Sequence, residues 1–174
     1  MAFMSLSSLV ATSVSPSLPA DALPATPPAL AGAHFRHPIR VYWEDTDAGG
    51  IVFYGNYLKF MERARTEWFA SLGFGQEDMR QSGEGMFVVA DTQMRFLKPA
   101  RLDDHLTVTV TVCEAGRSSV AFQQAVWRGE TLLTQGQVRI AWVQSKAGQD
   151  SLRPGRMPQR IWAVLPTPIQ TPGG

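Results

Sequence analysis

A single helical pattern followed only by strand patterns limits what this chain can fold into. Tyr57, Phe60, Met61, Ala64, Trp68 and Leu72 recur at the spacing of one helix face, while Lys59, Glu62, Arg63, Arg65 and Glu67 fill much of the rest. Asn56 is the candidate N-cap, because its amide oxygen can accept an orphan N–H of the first turn, and Gly73 suits the left-handed residue beyond the last turn. Downstream lie four long strand-forming stretches, MFVVADTQMRFL, DHLTVTVTVCEA, SSVAFQQAVWRG and TLLTQGQVRIAWVQ, separated by the turn segments KPARLDD, EAGRSS and RGET. In the second, Leu106, Val108, Val110 and Val112 alternate with Thr107, Thr109 and Thr111. A lone amphipathic helix must bury its apolar face against the only large surface available, which is the sheet. The expected class is therefore α+β, with an antiparallel sheet of about five strands wrapped around one long central helix.

Ahead of the helix, HPIRVYWE reads as a strand, with Ile39, Val41 and Trp43 on one side and Arg40, Tyr42 and Glu44 on the other. It delivers two aspartates, Asp45 and Asp47, and a glycine pair to the start of the helix. Residues 1–33 differ: they are rich in Ala, Pro and Ser, lack a hydrophobic period and carry no Lys or Arg. They are expected to be a disordered extension without the basic n-region of a secretory signal. Residues 34–165 form the expected domain, and 166–174 a proline-punctuated flexible tail. With 174 residues and 44% apolar content, one core is expected. Sixteen basic and fifteen acidic residues are mixed along the chain, which argues against a nucleic-acid partner. A single cysteine, Cys113, excludes an internal disulfide framework and fits a reducing compartment, the cytoplasm by default. No stretch approaches the roughly 20 apolar residues of a membrane span.

The segment DTDAGG carries the chemistry. As a calcium loop it fails, since Gly49 stands at the fifth position and Asn56 at the twelfth, where a bidentate glutamate belongs. A phosphotransfer aspartate would end a fully buried parallel strand, and the alternating strand here is not one. An aspartic-protease D-T-G is absent, because Asp45-Thr46 is followed by Asp47. Two readings survive. One is a tight turn in which the carboxylates cap backbone N–H groups and the glycines supply positive φ. The other uses position: a carboxylate near a helix N-terminus stands beside unpaired N–H donors, which can polarise an acyl carbonyl while the carboxylate acts as general base or nucleophile.

At this point VYWEDTDAGGIVFYGNYLKFMERARTEWFASLGF closely resembles the signature of the hotdog-fold 4-hydroxybenzoyl-CoA thioesterase family, and within it the Tol-Pal-associated acyl-CoA thioesterases of the YbgC type. MRFLKPARLDDHLTVTV and GRSSVAF are similar to later segments of that family, so the resemblance spans about residues 36 to 160. It implies a hotdog fold, dimers that pair sheets edge to edge, commonly dimers of dimers (a homotetramer), and active sites shared across the dimer interface. It matches the catalytic aspartate to Asp47, and the backbone N–H that polarises the thioester to Tyr54, with Gly55 beside it. YbgC-type members usually carry His where this chain has Tyr54, which bears on any imidazole-assisted step. The resemblance further suggests that the CoA nucleotide lies near the turn between the third and fourth strands of the wrapped sheet, where Arg117, Ser118 and Ser119 meet phosphates, with Lys98 and Arg101 as additional candidates.

The expected activity is hydrolysis of acyl-CoA to free acid and CoA, with no metal and no organic cofactor. Cys113 has no partner in the sequence for thiolate activation, and His34, His37 and His105 form no metal-ligand spacing. Glu62 and Glu67 are read as part of the helix's polar face. A G-x-S-x-G elbow is absent. The alternatives are a hotdog dehydratase, whose His-containing motif is missing, and a non-catalytic hotdog scaffold that binds acyl carrier protein or a cell-envelope complex.

Overall fold

The computed structural model describes residues 32–145 and 152–169, so the extension expected over 1–33 lies almost wholly outside the described residues. Its elements are β1 (Phe35–Arg40), a 3-10 turn (Trp43–Asp45), α1 (Tyr54–Ser71), α2 (Gln76–Gln81), β2 (Met86–Phe96), β3 (His105–Ala115), β4 (Ser119–Arg128), β5 (Thr131–Ser145), β6 (Leu152–Pro154) and α3 (Gln159–Trp162). The four expected strands are present to within a few residues. All pairings are antiparallel, in the order β1-β3-β4-β5-β2, with β6 joined to the far end of β5. The first two strands thus occupy opposite edges, and α1, which links them, crosses the whole sheet before β3, β4 and β5 fill the middle.

That crossing determines the core. Tyr57, Phe60, Met61, Ala64, Trp68 and Phe69 are buried on the helix, and Val108, Val110, Val112, Phe122, Val126, Val138 and Ile140 are buried on the sheet. Trp68 meets Phe122 edge-on at 5.4 Å, and Phe69 stacks on Phe87 at 4.9 Å. Each such side chain contributes about 1.5–3 kcal/mol by leaving water. Alternation in β3 survives as far as Val112, where a bulge shifts the register before Glu114. The last turn of α1 ends in a Schellman motif: Phe74 N–H donates to Phe69 carbonyl and Gly73 N–H to Ala70 carbonyl, with Gly73 at φ 86° as expected.

Four local expectations change. The first strand stops at Arg40, and Trp43, expected to face inward, sits in the 3-10 turn and is 79% exposed. The helix begins at Tyr54, so Asn56 is not its N-cap but a buried residue of the first turn. Arg65, expected on the polar face, is buried. Of the stretch expected to be a flexible tail, Ile169 N–H donates to the Val112 carbonyl.

Gly136 lies where β5 meets β2, and a Cβ there would fall 2.4 Å from Met94 Sδ and 2.6 Å from the Gln93 carbonyl oxygen. Gly136→Ala is expected to destabilise the domain by about 1–3 kcal/mol in denaturant titration, because the backbone side of that contact has no room to yield.

Candidate active site

Between the 3-10 turn and α1 the chain makes a small hairpin. Thr46 bridges Val52, Asp47 N–H donates to Ile51 carbonyl, and Phe53 N–H donates to Asp45 carbonyl. Its loop is Ala48-Gly49-Gly50, closed by Gly50 N–H on the Asp47 carbonyl with Gly50 at φ 70°, the left-handed position that a three-residue hairpin loop requires. Beyond it, Val52 N–H donates to Ala100 carbonyl and Ile51 bridges Arg101, so the hairpin is fastened to the segment leading into β3.

The two aspartates do different work. Asp45 is 3% exposed, and its Oδ2 accepts the Tyr42 N–H at 2.9 Å. Its carbonyl takes two donors, Phe53 N–H and the Asn56 side-chain amide at 3.0 Å. Asn56 also reaches Glu44 carbonyl at 3.4 Å, so the amide that fails to cap the helix instead ties the helix to the turn that precedes the hairpin. Asp47 is exposed at the loop, with Oδ1 accepting Gly49 N–H at 2.8 Å in an Asx turn. Asp45 is structural, and Asp47 presents its carboxylate outward from a fixed backbone.

The start of α1 is open. Phe53, the N-cap residue, gives no side-chain hydrogen bond, and Asn56 N–H turns back onto Phe53 carbonyl. Tyr54 and Gly55 N–H find no acceptor among the described residues. These are the donors that the sequence singled out, and they belong to the positive end of an 18-residue helix. Tyr54 itself is 66% exposed and packs against Phe53 at 4.5 Å and edge-on to Phe96 at 6.4 Å.

A cavity of about 280 Å³ adjoins this helix end, lined by Ile51, Val52, Tyr54, Tyr57, Phe96 and Lys98 among others. Tyr57 holds its wall in place: the phenol oxygen accepts Ala100 N–H at 2.9 Å, and the Ala100 carbonyl in turn accepts Val52 N–H from the hairpin. Burial pushes the Tyr57 phenol above its ordinary pKa, so it stays protonated. Arg101 N–H is fixed by Asp104 Oδ2 at 2.8 Å, beside the ion pair of Asp104 with Arg128 at 2.7 Å. Asp47, Tyr54, Gly55, Lys98 and Arg101 therefore gather at one end of the sheet.

Arg117, Ser118 and Ser119 do not join them. They form the β3–β4 turn, separated from the helix N-terminal end by the length of β3, whose 11 residues span about 33 Å. Their carbonyls bind the chain locally, Arg117 to Met157 N–H, Ser118 to Trp142 N–H and Ser119 to Gly116 N–H. Arg117 also lines a second cavity, about 180 Å³, with Arg156, Met157, Gln159 and Trp162. Those C-terminal residues escape sequence reasoning because only the packing of the segment after β5 brings them to the turn. Their only sequence signal is the arginine density of SLRPGRMPQR. No cluster of three or more potential metal ligands occurs among the described residues.

The family model of the thioesterase superfamily matches residues 49–135. The acyl-CoA thioesterase YbgC of Haemophilus influenzae is 36% identical over 131 residues, covering 75% of this chain and 93% of that protein. The 1,4-dihydroxy-2-naphthoyl-CoA hydrolase of Thermosynechococcus vestitus is 35% identical over 109 residues, covering 61% of this chain and 68% of that one. Among solved structures, a probable thioesterase from Bartonella henselae superposes with a TM-score of 0.65 at 30% identity, covering 71% of this chain and 98% of that one. With an antiparallel sheet wrapped around one long helix and relatives of this similarity, the chain belongs to the hotdog thioesterase superfamily, in its YbgC-type branch.

Proposed function

We propose that this protein hydrolyses acyl-CoA thioesters, with Asp47 as general base or nucleophile and the Tyr54 and Gly55 N–H groups as the donors that polarise the thioester carbonyl. The observation that carries the reading is the conjunction at one helix end: an exposed carboxylate on a hydrogen-bonded hairpin, and two N–H groups without an acceptor among the described residues. With its carbonyl oxygen on those donors, the thioester carbon becomes electrophilic and the negative charge of the tetrahedral intermediate falls where the helix end favours it. In the general-base form, Asp47 takes a proton from water as the oxygen attacks, then returns it as the C–S bond breaks and CoA leaves as the thiol. In the nucleophilic form, the carboxylate oxygen displaces CoA and water hydrolyses the resulting anhydride. Both forms place the same demand on Asp47, a carboxylate held in one orientation, and the Gly49 contact meets it.

The nucleotide end of CoA is assigned to Arg117, Ser118 and Ser119, with Arg156 beside them in the second cavity. Because that turn and the helix N-terminus of one chain are a strand's length apart, the reading pairs each helix end with the turn of another copy, in a homodimer or dimer of dimers. The 11-residue edge strand β2, whose Val89 and Phe96 are about half exposed, supports pairing of this kind. Lys98 and Arg101 then face the pantetheine and phosphates from the catalytic side. The reading locates the enzyme in the cytoplasm, where acyl-CoA is made and the lone Cys113 would remain a thiol. Among the described residues no helix is long and apolar enough to cross a membrane.

Asp47→Asn is expected to lower kcat for acyl-CoA hydrolysis by about 100-fold or more, with an unchanged circular dichroism spectrum. Near-normal turnover would remove Asp47 from the chemistry. Asp45→Ala should instead cost about 1–3 kcal/mol of stability in urea unfolding, since it removes a buried carboxylate that accepts the Tyr42 N–H. Asp47→Ala should stay within about 0.5 kcal/mol of wild type. Replacing Arg117 and Arg156 together by Gln is expected to raise KM for acyl-CoA about tenfold or more while leaving hydrolysis of the corresponding N-acetylcysteamine thioester unchanged, because that thioester lacks the nucleotide.

A further inference from the structure

Arg65 stands on the sheet-facing side of α1 with 7% of its surface exposed. An arginine cannot escape burial by releasing its proton, so a buried guanidinium calls for an opposite charge or a full set of acceptors. Neither is present. Among the described residues no carboxylate lies within ion-pair distance of Arg65. Its hydrogen bond runs from Nη1 to Oε1 of Gln124 at 2.6 Å, a neutral partner that is itself 0% exposed and whose amide donates to the Met61 carbonyl. Glu62, one turn earlier, attracts the guanidinium through space, but its carboxylate is exposed and accepts the Thr66 hydroxyl at 2.6 Å.

Beside the guanidinium is a cavity of about 320 Å³, walled by Leu58, Val89 and Val138, with Lys59, Glu62 and Arg65 as its charged groups. Two cations against one anion leave it net positive. Tyr54, Leu58, Glu62 and Arg65 follow one another at helical spacings of four, four and three, so they share one stripe of α1. Phe96, which touches Tyr54, and Val89, which lines the cavity, belong to the same strand, β2, alongside that stripe. Two cavities therefore lie along one stripe of α1 and one face of β2, the first at the open N–H groups of Tyr54 and Gly55 and the second at Arg65. Ten residues separate Gly55 from Arg65, about 15 Å of helix rise, and the arginine side chain leans back toward the helix N-terminus and shortens that span.

We infer that Arg65 is a specificity-determining residue that receives the far carboxylate of a dicarboxylic acyl group whose thioester carbonyl rests on Tyr54 and Gly55. This rests on the thioesterase reading and adds the substrate class. A carboxylate in the cavity beside Arg65 forms a charge-assisted bond with a buried cation that has no ion-pair partner among the described residues. A plain alkyl acyl group of the same length leaves that cation unpaired, and a site built for hydrogen bonding discriminates against the analogue that lacks its partner. Arg65 touches no reacting atom, so its removal changes which acyl group is accepted and not the chemistry at Asp47.

The test compares kcat/KM for adipoyl-CoA and hexanoyl-CoA, equal in carbon number and different only in the terminal carboxylate, on the full chain and on Arg65→Met. Wild type is expected to favour adipoyl-CoA by about tenfold or more, and R65M to lose that preference while hydrolysing hexanoyl-CoA within about threefold of wild type. Equal treatment of the two substrates by wild type, or a parallel fall on both in R65M, overturns the inference and makes Arg65 a packing residue. If R65M does not fold, Arg65→Gln removes the charge but keeps a hydrogen-bonding side chain for Gln124, and an adipoyl-to-hexanoyl ratio unchanged from wild type overturns it equally. Wild-type turnover of hexanoyl-CoA without a preference defeats this inference alone. Absence of turnover on any acyl-CoA defeats the thioesterase reading as well.

Discussion

The carbonyl of Asp45 is the contact on which the rest of the site depends. It collects the Phe53 N–H, which closes the hairpin, and the Asn56 side-chain amide, which comes from inside the helix. Two elements with different periods are thereby locked in one orientation, at the point where a strand-like ladder hands over to α1. Because Asn56 spends its side chain on this tie, no polar side chain caps the helix, and the first N–H groups remain available. An ordinary N-cap would add about 1 kcal/mol of stability and close the site. The open helix end and the tie are two aspects of one arrangement.

The topology makes that arrangement possible. Placing β1 and β2 at opposite edges obliges the helix between them to traverse the sheet, so one helix end is fixed near the start of β3 and the other near the β3–β4 turn. Core packing through Trp68, Phe69 and Phe122 holds the far end, while Tyr57, through Ala100, holds the near one. The groups proposed to bind substrate are consequently distributed along the helix axis: the N–H donors at its start, Arg65 in its middle, and Arg117 and Arg156 beyond its end. A long, flexible thioester with an acyl head, a pantetheine arm and a charged nucleotide is a molecule suited to such a spread, provided a second copy brings the distant turn within reach.

Much of the architecture was legible because local period and tertiary role agree in the strands. Leu106, Val108, Val110 and Val112 alternate in sequence and are all buried in the sheet, and Gly73 ends the helix with the positive φ its chemistry permits. The failures share a cause, which is tertiary context overriding a local preference. Asn56 has the composition of a cap but finds a better acceptor set on the preceding turn. Trp43 continues the alternation of β1, yet the chain must leave the sheet there to form the hairpin, and the 3-10 turn carries the indole outward. Arg65 falls among charged residues at a position indistinguishable from the polar face until the sheet's curvature brings Gln124 over it. The family resemblance singles out Asp47 over Asp45 as the candidate catalyst, whereas local pattern treats both as turn residues and gives no sign that Asp45 is buried and Asp47 exposed.

The central claim is that the Tyr54 and Gly55 N–H groups grip the thioester carbonyl over which Asp47 acts. It is tested most directly by the infrared carbonyl stretch of an acyl-CoA with a carbon-13 label at its carbonyl, bound to the hydrolysis-impaired Asp47→Asn protein. Hydrogen bonding from the helix end predicts a band shifted to lower wavenumber than that of the same thioester in water. A band at or above the aqueous position would contradict the account.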